Sequence, residues 1–120
     1  MYLAVAGAAG TLSRYGLSGF VQWLVGEKFP WGTLAVNIAG CFAFGLIWTL
    51  AEDRLVISGQ TRTVILTGFM GAFTTFSTFG YETADLLKHA EWWQAGSNML
   101  ANIVCGILAV FLGFAVGRWF

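Results

Sequence analysis

Charged side chains are scarce in this sequence, and their scarcity decides the class of protein. Lysine, arginine, aspartate and glutamate together make up 10% of the 120 residues, whereas hydrophobic residues make up 58%. A soluble domain carries about 25% charged residues because its surface must face water. The composition therefore excludes an ordinary soluble domain and predicts a protein whose surface faces lipid.

Residues for metal, redox and nucleotide chemistry are also few. Cys41 and Cys105 lie in separate apolar stretches without a CxxC pattern. They are therefore expected to pack as small apolar side chains and not to bind a metal. The single histidine, His89, lies beside a lysine and close to two tryptophans, as an interfacial anchor does. The sequence has no phosphate-binding loop and no catalytic constellation. We expect neither an enzyme nor a nucleic-acid partner.

The apolar residues fall into four long stretches separated by short charged connectors. They predict a single four-helix transmembrane domain over residues 1–120 of an all-α membrane protein, with helices at about 2–25, 31–51, 62–88 and 93–119. Barrel strands are excluded because the stretches lack a two-residue alternation. The first stretch has no basic start and is interrupted by polar residues, so we interpret it as a retained helix and not a secretory signal.

Basic residues are divided almost evenly between the two faces that four helices create. Arg54, Arg62 and Arg118 lie on one face, and Lys28 and Lys88 lie on the other. Because an excess of basic residues normally fixes orientation, this weak bias allows insertion both ways. The simplest assembly is then an antiparallel, dual-topology homodimer in the lipid bilayer. A singly oriented protein with a weak signal is the alternative.

Arg14 lies midway along the first apolar stretch. Ala6, Gly10, Arg14 and Ser18 recur every four residues, which places them along one side of a helix. A charge inside a membrane is unfavourable by about 2.5 to 3.5 kcal/mol on insertion scales. We therefore expect Arg14 to face protein or water, the alternative being a side chain that reaches back to the interface.

Three asparagines lie in the second and fourth stretches. Asn37 shares a face with Thr33 and Gly40, and its amide can either hold helices together or donate to a dehydrated anion. Spacing alone does not choose between these roles. In the fourth stretch a stripe of mostly small residues predicts close helix packing, in which the two asparagines can also line a wet path: Asn98, Asn102, Gly106, Ala109, Gly113 and Gly117.

The run GAFTTFSTFGYE, residues 71–82, combines phenylalanines with hydroxyl groups. On a helix Phe76, Phe79 and Glu82 share one side, and Thr75 and Thr78 lie on an adjoining side. The positive edge of an aromatic ring attracts an anion, and hydroxyls can donate hydrogen bonds to it. The run is thus interpreted as a lined pathway. Alternatively, the rings form a packing stripe, the hydroxyls bond the preceding turn, and Glu82 carries protons or packs.

Glycines precede this run at Gly68 and Gly71, where a helix can break. Irregular backbone at membrane depth is tolerated only where it is buried or lines a cavity, and its freed carbonyls suit a cation.

With these segments the chain resembles the Fluc family of fluoride channels, also called CrcB. The resemblance covers essentially the whole chain and rests on GTLSRYGLS, WGTLAVNIAG and GFMGAFTTFSTFGYE. It implies an antiparallel dimer in the bacterial plasma or inner membrane, with two fluoride pores, a broken third helix and a central structural sodium ion. Fluoride would leave the cytoplasm passively, since about 2.3 kcal/mol per 100 mV drives a monovalent anion out of a negative interior.

The resemblance also implies roles for single residues. Phe76 and Phe79 would be the ring pair of the pore, and Gly71 and Thr74 would hold sodium through their backbone carbonyls. The other implied or expected site residues are the pathway residues Asn37, Thr75, Ser77 and Thr78 and the vestibule or structural residues Arg14, Glu82, Asn98 and Asn102.

Two features depart from the family pattern. Ala72 stands where relatives usually have a second glycine, so the break must form with one flexible residue fewer. Asn98 and Asn102 occupy positions where relatives vary among Tyr, Ser, Thr and His, which leaves their role open.

Two other functions are compatible with a small four-helix protein. A proton-coupled multidrug exporter has the same size, but it needs a carboxylate in the first helix, where this chain has Arg14. A non-transporting assembly subunit would show no ion flux. Neither alternative explains the motif in residues 71–82.

Overall fold

The computed structural model describes residues 1–120, and all its regular secondary structure is helical, without a β-strand. Three segments are long and apolar enough to cross a membrane: Trp31–Glu52, Gly59–Lys88 and Trp92–Gly117. A fourth long helix, Tyr2–Val25, is not among them because polar side chains such as Arg14 and Gln22 interrupt it. The all-α membrane class is thereby confirmed, and crossing by this first helix stays a prediction.

The helical segments follow one another with short connections. They are α1 Tyr2–Val25, α2 Trp31–Glu52, α3 Gly59–Thr63, α4 Gly71–Phe73, α5 Phe76–Lys88 and α6 Trp92–Gly117, with wide π-helical turns over Val64–Met70 between α3 and α4. The third apolar segment begins three residues before the expected 62 because the Ser58 side chain caps α3, accepting the N–H of Thr61. The last helix ends at Gly117, two residues before the expected 119.

Small residues bring α2 and α6 into close contact. A methyl group at Gly45 would overlap the backbone carbonyl of Val110, and one at Gly113 would overlap the carbonyl of Phe42. Gly117 likewise faces the buried side chain of Thr49. The stripe on α6 is therefore a packing surface, as its spacing predicts, because only small side chains let two helix backbones approach this closely.

The inner face of α1 packs against the wide turns and α4. Gly10 is buried beneath the carbonyl of Phe69, and Gly68 lies against the methyl group of Ala6. Beside this contact, four buried apolar residues form the core: Val36, Leu66, Met70 and Phe73. The core thus surrounds the middle of the third apolar segment, where its backbone changes conformation.

The backbone is extended at two residues between α4 and α5. Thr74 has φ −81° and ψ 157°, and Thr75 has φ −148° and ψ 115°. These angles belong to the β region, which any L-residue adopts without strain. No glycine is needed at this point, and helical Ala72 lies one residue before the end of α4.

Large apolar side chains cover the outside of the subunit. The exposed face of α6 includes Leu100, Ile103, Ile107, Leu108, Phe111 and Leu112. The molecule measures 48 × 31 × 23 Å, and its long axis matches a bilayer of about 40 to 45 Å including the headgroups. A surface this apolar is stable only against lipid or another copy of the protein.

Candidate functional site

A groove of about 330 Å³ lies where α2, α5 and α6 meet the extended threonines. Asn37, Thr75, Phe76, Phe79 and Asn102 are among its lining residues. The rings of Phe76 and Phe79 are 5.5 Å apart and inclined by 56°. Because Phe76 is 83% exposed in the subunit, its ring contributes little to the core and is available at the mouth of the groove.

The side chain of Asn37 holds the extended backbone at Thr75 from both sides. Its Oδ1 accepts the N–H of Thr75 at 2.9 Å, and its Nδ2 donates to the carbonyl of the same residue at 3.2 Å. The second amide proton goes to Oδ1 of Asn102 at 3.0 Å. Both donors of Asn37 are therefore engaged within the protein.

Hydroxyl groups close the first turn of α5. The Thr75 hydroxyl accepts the N–H of Thr78 at 3.1 Å and donates to the Thr78 hydroxyl at 2.9 Å. This is an N-cap, which satisfies a backbone donor that has no partner in the helix. The proton of the Thr78 hydroxyl has no acceptor in the structure, and Ser77 is exposed beside it. Neither side chain lines the aromatic groove itself, and the Ser77 hydroxyl lies 3.4 Å from that of Thr75. Both hydroxyls can turn a proton towards an anion.

Asn98 and Asn102 continue the polar contacts away from Asn37. Asn102 donates through Nδ2 to the side-chain and backbone oxygens of Asn98, at 3.0 and 2.9 Å. Asn98, which has no exposed surface, donates to Oγ1 of Thr83 at 3.0 Å. Thr83 in turn donates to the carbonyl of Phe79 at 2.8 Å. The two asparagines thus connect α6 with both α2 and α5.

Glu82 lies one turn farther along α5 than the aromatic pair. Its Oε1 accepts a hydrogen bond of 2.7 Å from the hydroxyl of Thr33, while its Oε2 is buried without a partner. A second groove nearby is lined by Glu82, Asp85, Gln22 and Lys28, among others. Glu82 therefore lies between the aromatic groove and a more polar opening.

Arg14 lies against the end of α4. Its Nε donates to the carbonyl of Ala72 at 3.1 Å. In a continuous helix this carbonyl would accept the N–H of residue 76, but the extended residues separate the two. The guanidinium thus satisfies a carbonyl that the change of conformation has freed, which explains how a charge is tolerated midway along α1.

The carbonyl of Gly71 loses its helical partner in the same way. The N–H of Thr75, which a continuous helix would direct to Gly71, donates to Asn37 instead. Gly71 is exposed on the subunit, and Thr74 is half-buried with its hydroxyl bonded to the carbonyl of Met70. The hydroxyl of Thr74 is therefore already bonded. The carbonyl oxygens of Gly71 and Thr74, in contrast, accept no hydrogen bond from a backbone N–H of the extended segment.

The predicted site residues do not form a single cluster. Asn37, Thr75, Phe76, Phe79 and Asn102 line the aromatic groove, and Asn98 and Thr78 bond directly to members of that group. Thr74 also lines the groove. The residues outside it are Arg14 at the Ala72 carbonyl, Glu82 at the second groove, Gly71, and the exposed Ser77.

Sequence reasoning missed three side chains that shape this region. Thr83 and Thr33 bond predicted residues, and Gln22 holds the loop after α1 by bonding the backbone of Gly26, Phe29 and Gly32. A polar side chain in an apolar helix was the available signal for Gln22. Threonine carries no comparable signal, because its hydroxyl can bond its own helix.

His89 lies after α5, outside the apolar segment. A hydrogen bond to the backbone carbonyl of Asp85, and then the nearby Asp85 carboxylate, raise the pKa of His89 above its ordinary value. The positive charge of protonated His89 is also stabilised by the C-terminal end of α5, where the helix dipole is negative. This stabilisation is complete below the ordinary pKa and is lost as the pH rises through the raised one.

Comparison with known proteins gives one family model and several relatives that carry the same name. Residues 1–114 match the family described as CrcB-like protein, Camphor Resistance (CrcB). A protein named fluoride-specific ion channel FluC from Nitrosococcus oceani is 55% identical over 117 residues, covering 98% of this chain and 94% of the relative. Proteins of the same name from Desulforapulum autotrophicum and Solidesulfovibrio magneticus are 51% and 50% identical over 118 and 117 residues, with the same coverage.

Proposed function

This chain belongs to the CrcB family of fluoride channels, and on that premise we propose that it is a fluoride-selective channel through which the anion leaves the cytoplasm passively. As a member of a channel family it is a multi-pass bacterial membrane protein and not an enzyme. The observation that carries the proposal is the aromatic groove, where two phenylalanine rings adjoin an extended backbone and the Thr75 hydroxyl is bonded to that of Thr78.

The pathway would run along the groove past Phe76 and Phe79. Ring edges attract an anion and repel a cation, so they favour fluoride without holding it as tightly as a fixed charge. The hydroxyls of Ser77 and Thr78 would replace part of its hydration shell. Asn37 and Thr75 also border the path, but an anion must displace Asn102 or the Thr75 carbonyl to reach an amide proton of Asn37.

The channel would be an antiparallel dual-topology homodimer with two pores. The near-even division of basic residues supports insertion in both orientations. The largely exposed Phe76 and the apolar faces of α1 and α6 supply surface for a second copy. In such a dimer the third helix of each subunit, interrupted at Thr74 and Thr75, would meet its partner near the two-fold axis.

A central sodium ion would be held by the carbonyls of Gly71 and Thr74 from both subunits. The donor set fits, because these are oxygen ligands without formal charge and the Gly71 carbonyl is released from its helical bond. Sodium would supply a fixed positive charge that holds the two interrupted helices together. Because the ligand would be the carbonyl and the Thr74 hydroxyl is bonded to Met70, Thr74→Val, which lacks the hydroxyl, should preserve the sodium dependence of the dimer. Size-exclusion chromatography in buffers with and without sodium measures this dependence.

Passive conduction needs neither ATP nor a coupled proton. The membrane potential alone supplies about 2.3 kcal/mol per 100 mV for each fluoride ion that leaves a negative interior. The exporter alternative needs an intramembrane carboxylate in the first helix, and α1 contains no aspartate or glutamate. Its cation, Arg14, is bonded to the Ala72 carbonyl and would repel a cationic drug.

Fluoride efflux from liposomes tests this proposal. Purified protein is reconstituted in vesicles loaded with potassium fluoride, and valinomycin is added to balance charge while an electrode records external fluoride. The proposal predicts rapid release from protein-containing vesicles and none from empty ones, and no release of chloride from vesicles loaded with potassium chloride. Absence of fluoride release would favour the assembly subunit, and release that required a proton gradient would favour coupled transport.

A further inference from the structure

A continuous series of hydrogen bonds connects the two ends of the first turn of α5 through α2 and α6. Each donor in the series points onward to the next member, with lengths of 2.9, 3.0, 3.0, 3.0 and 2.8 Å. We call this series the amide relay; its members are, in order, Thr75, Asn37, Asn102, Asn98, Thr83 and Phe79.

The direction of the amide relay is fixed by backbone groups at its two ends. At one end the N–H of Thr75 can only donate, so the oxygen of the Asn37 amide must face it. At the other end the carbonyl of Phe79 can only accept, so the hydroxyl of Thr83 must donate to it. A flip of any amide between them would place two donors or two acceptors face to face. The relay therefore has a single satisfied arrangement.

Close packing of α2 and α6 does not require these asparagines. Elsewhere along the same stripe, Gly113 and Gly117 bring the helices together with no polar side chain of their own. Asn98 is completely buried, and an amide there is favourable only when its hydrogen bonds are made. Its partners lead to Thr75 and Phe79, both of which line the aromatic groove.

We propose that Asn102, Asn98 and Thr83 are positioning residues that orient the Asn37 amide and thereby fix Thr75 and Phe79, one helical turn apart at the start of α5, along the fluoride path. This inference rests on the proposed channel function. Asn102 and Asn98 hold Asn37 in one orientation, and Thr83 anchors the far end of the relay on α5. Loss of Thr83 would leave the buried Asn98 amide without its acceptor. An unpaired buried donor is unfavourable, so Asn98 would shift towards another partner and disturb Asn102 and Asn37, to which it is connected by hydrogen bonds.

The test removes the one hydroxyl of the relay that lies outside the groove. Thr83→Val keeps the shape and deletes both the acceptor for Asn98 and the donor to Phe79. Amide hydrogen exchange in nanodiscs, resolved at Thr75, should become about tenfold faster, although Thr83 does not contact Thr75. In liposomes the ratio of fluoride to chloride flux should fall by about tenfold.

Two further variants separate positioning from general stability. Thr83→Ser retains the hydroxyl and should restore both readouts to near the unmodified values. Thr49→Val removes a hydroxyl from another buried threonine, one that packs against Gly117 and makes no side-chain hydrogen bond, and should change neither readout. Should Thr83→Val fail to fold, Asn102→Leu interrupts the relay at its middle and is compared in the same way.

Unchanged exchange at Thr75 in Thr83→Val would overturn the inference, as would equal behaviour of the valine and serine variants. Failure of the channel proposal is recognised separately, by the absence of fluoride flux in the unmodified protein. Exchange at Thr75 would still decide the relay in that case, because it does not depend on transport.

Discussion

Replacing Asn37 with leucine should loosen the extended segment at Thr75. The variant loses three hydrogen bonds, two with the Thr75 backbone and one with Asn102. Hydrogen bonds between helices in a membrane are worth about 0.6 kcal/mol each on average, so the three together stabilise the segment by roughly 1.8 kcal/mol. Because 1.4 kcal/mol corresponds to a factor of ten, the segment should open about 20 times more often.

Amide hydrogen exchange measures this opening directly. In the unmodified protein the Thr75 N–H is protected by Asn37, and in Asn37→Leu it should exchange about 20-fold faster. Ile38→Leu, a volume-conserving change at the next position of α2, should leave exchange at Thr75 unchanged. Fluoride efflux is recorded on the same samples and should fall in Asn37→Leu alone. Exchange within twofold of the unmodified protein would refute the argument that Asn37 holds the extended backbone.

Three further changes test other parts of the account. Replacing Phe76 or Phe79 with isoleucine should lower fluoride flux by about 2- to 12-fold while the dimer persists in size-exclusion chromatography. This range takes the about 0.5 to 1.5 kcal/mol of an edge-to-face pair of rings as the scale for a ring edge against an anion. Flux unchanged from that of the unmodified protein in both variants would reduce the rings to packing. A single cysteine introduced beside Gly59 should react with an impermeant reagent from both sides of the membrane, and labelling from one side would exclude dual topology. Gly113→Ala should destabilise the subunit by about 1 to 3 kcal/mol in denaturant titration, because its methyl group meets the Phe42 carbonyl; unchanged stability would contradict the close α2 to α6 contact.

The helical character of the apolar segments and the packing face of α6 could be predicted from the sequence. Both follow from composition and from the spacing of residues such as Gly106 and Gly113, which a helix of 3.6 residues per turn places on one side. Residue-level contacts were less accessible. The sequence of a hydroxyl-rich run does not reveal which helix supplies the hydrogen-bond partners of its hydroxyls, since a threonine can equally bond the preceding turn of its own helix.

The chain conformation around Ala72 shows why the sequence alone was ambiguous. A missing glycine raises doubt only if the backbone must adopt positive φ or approach another chain closely. Thr74 and Thr75 instead adopt ordinary β-region angles, and the freed groups are bonded by Asn37 and Arg14. These partners are 38 and 58 residues away in sequence, so no local pattern could have identified them.

The most direct test of passive fluoride conduction is the reversal potential in a planar bilayer. With purified protein and a tenfold fluoride gradient at equal pH and equal chloride on the two sides, a passive fluoride-selective channel should give a steady current that reverses about 59 mV from zero, at the fluoride equilibrium potential. The same value should persist when a pH gradient is imposed. A reversal potential near zero, or one that shifts with the pH gradient, would contradict a passive fluoride-selective channel.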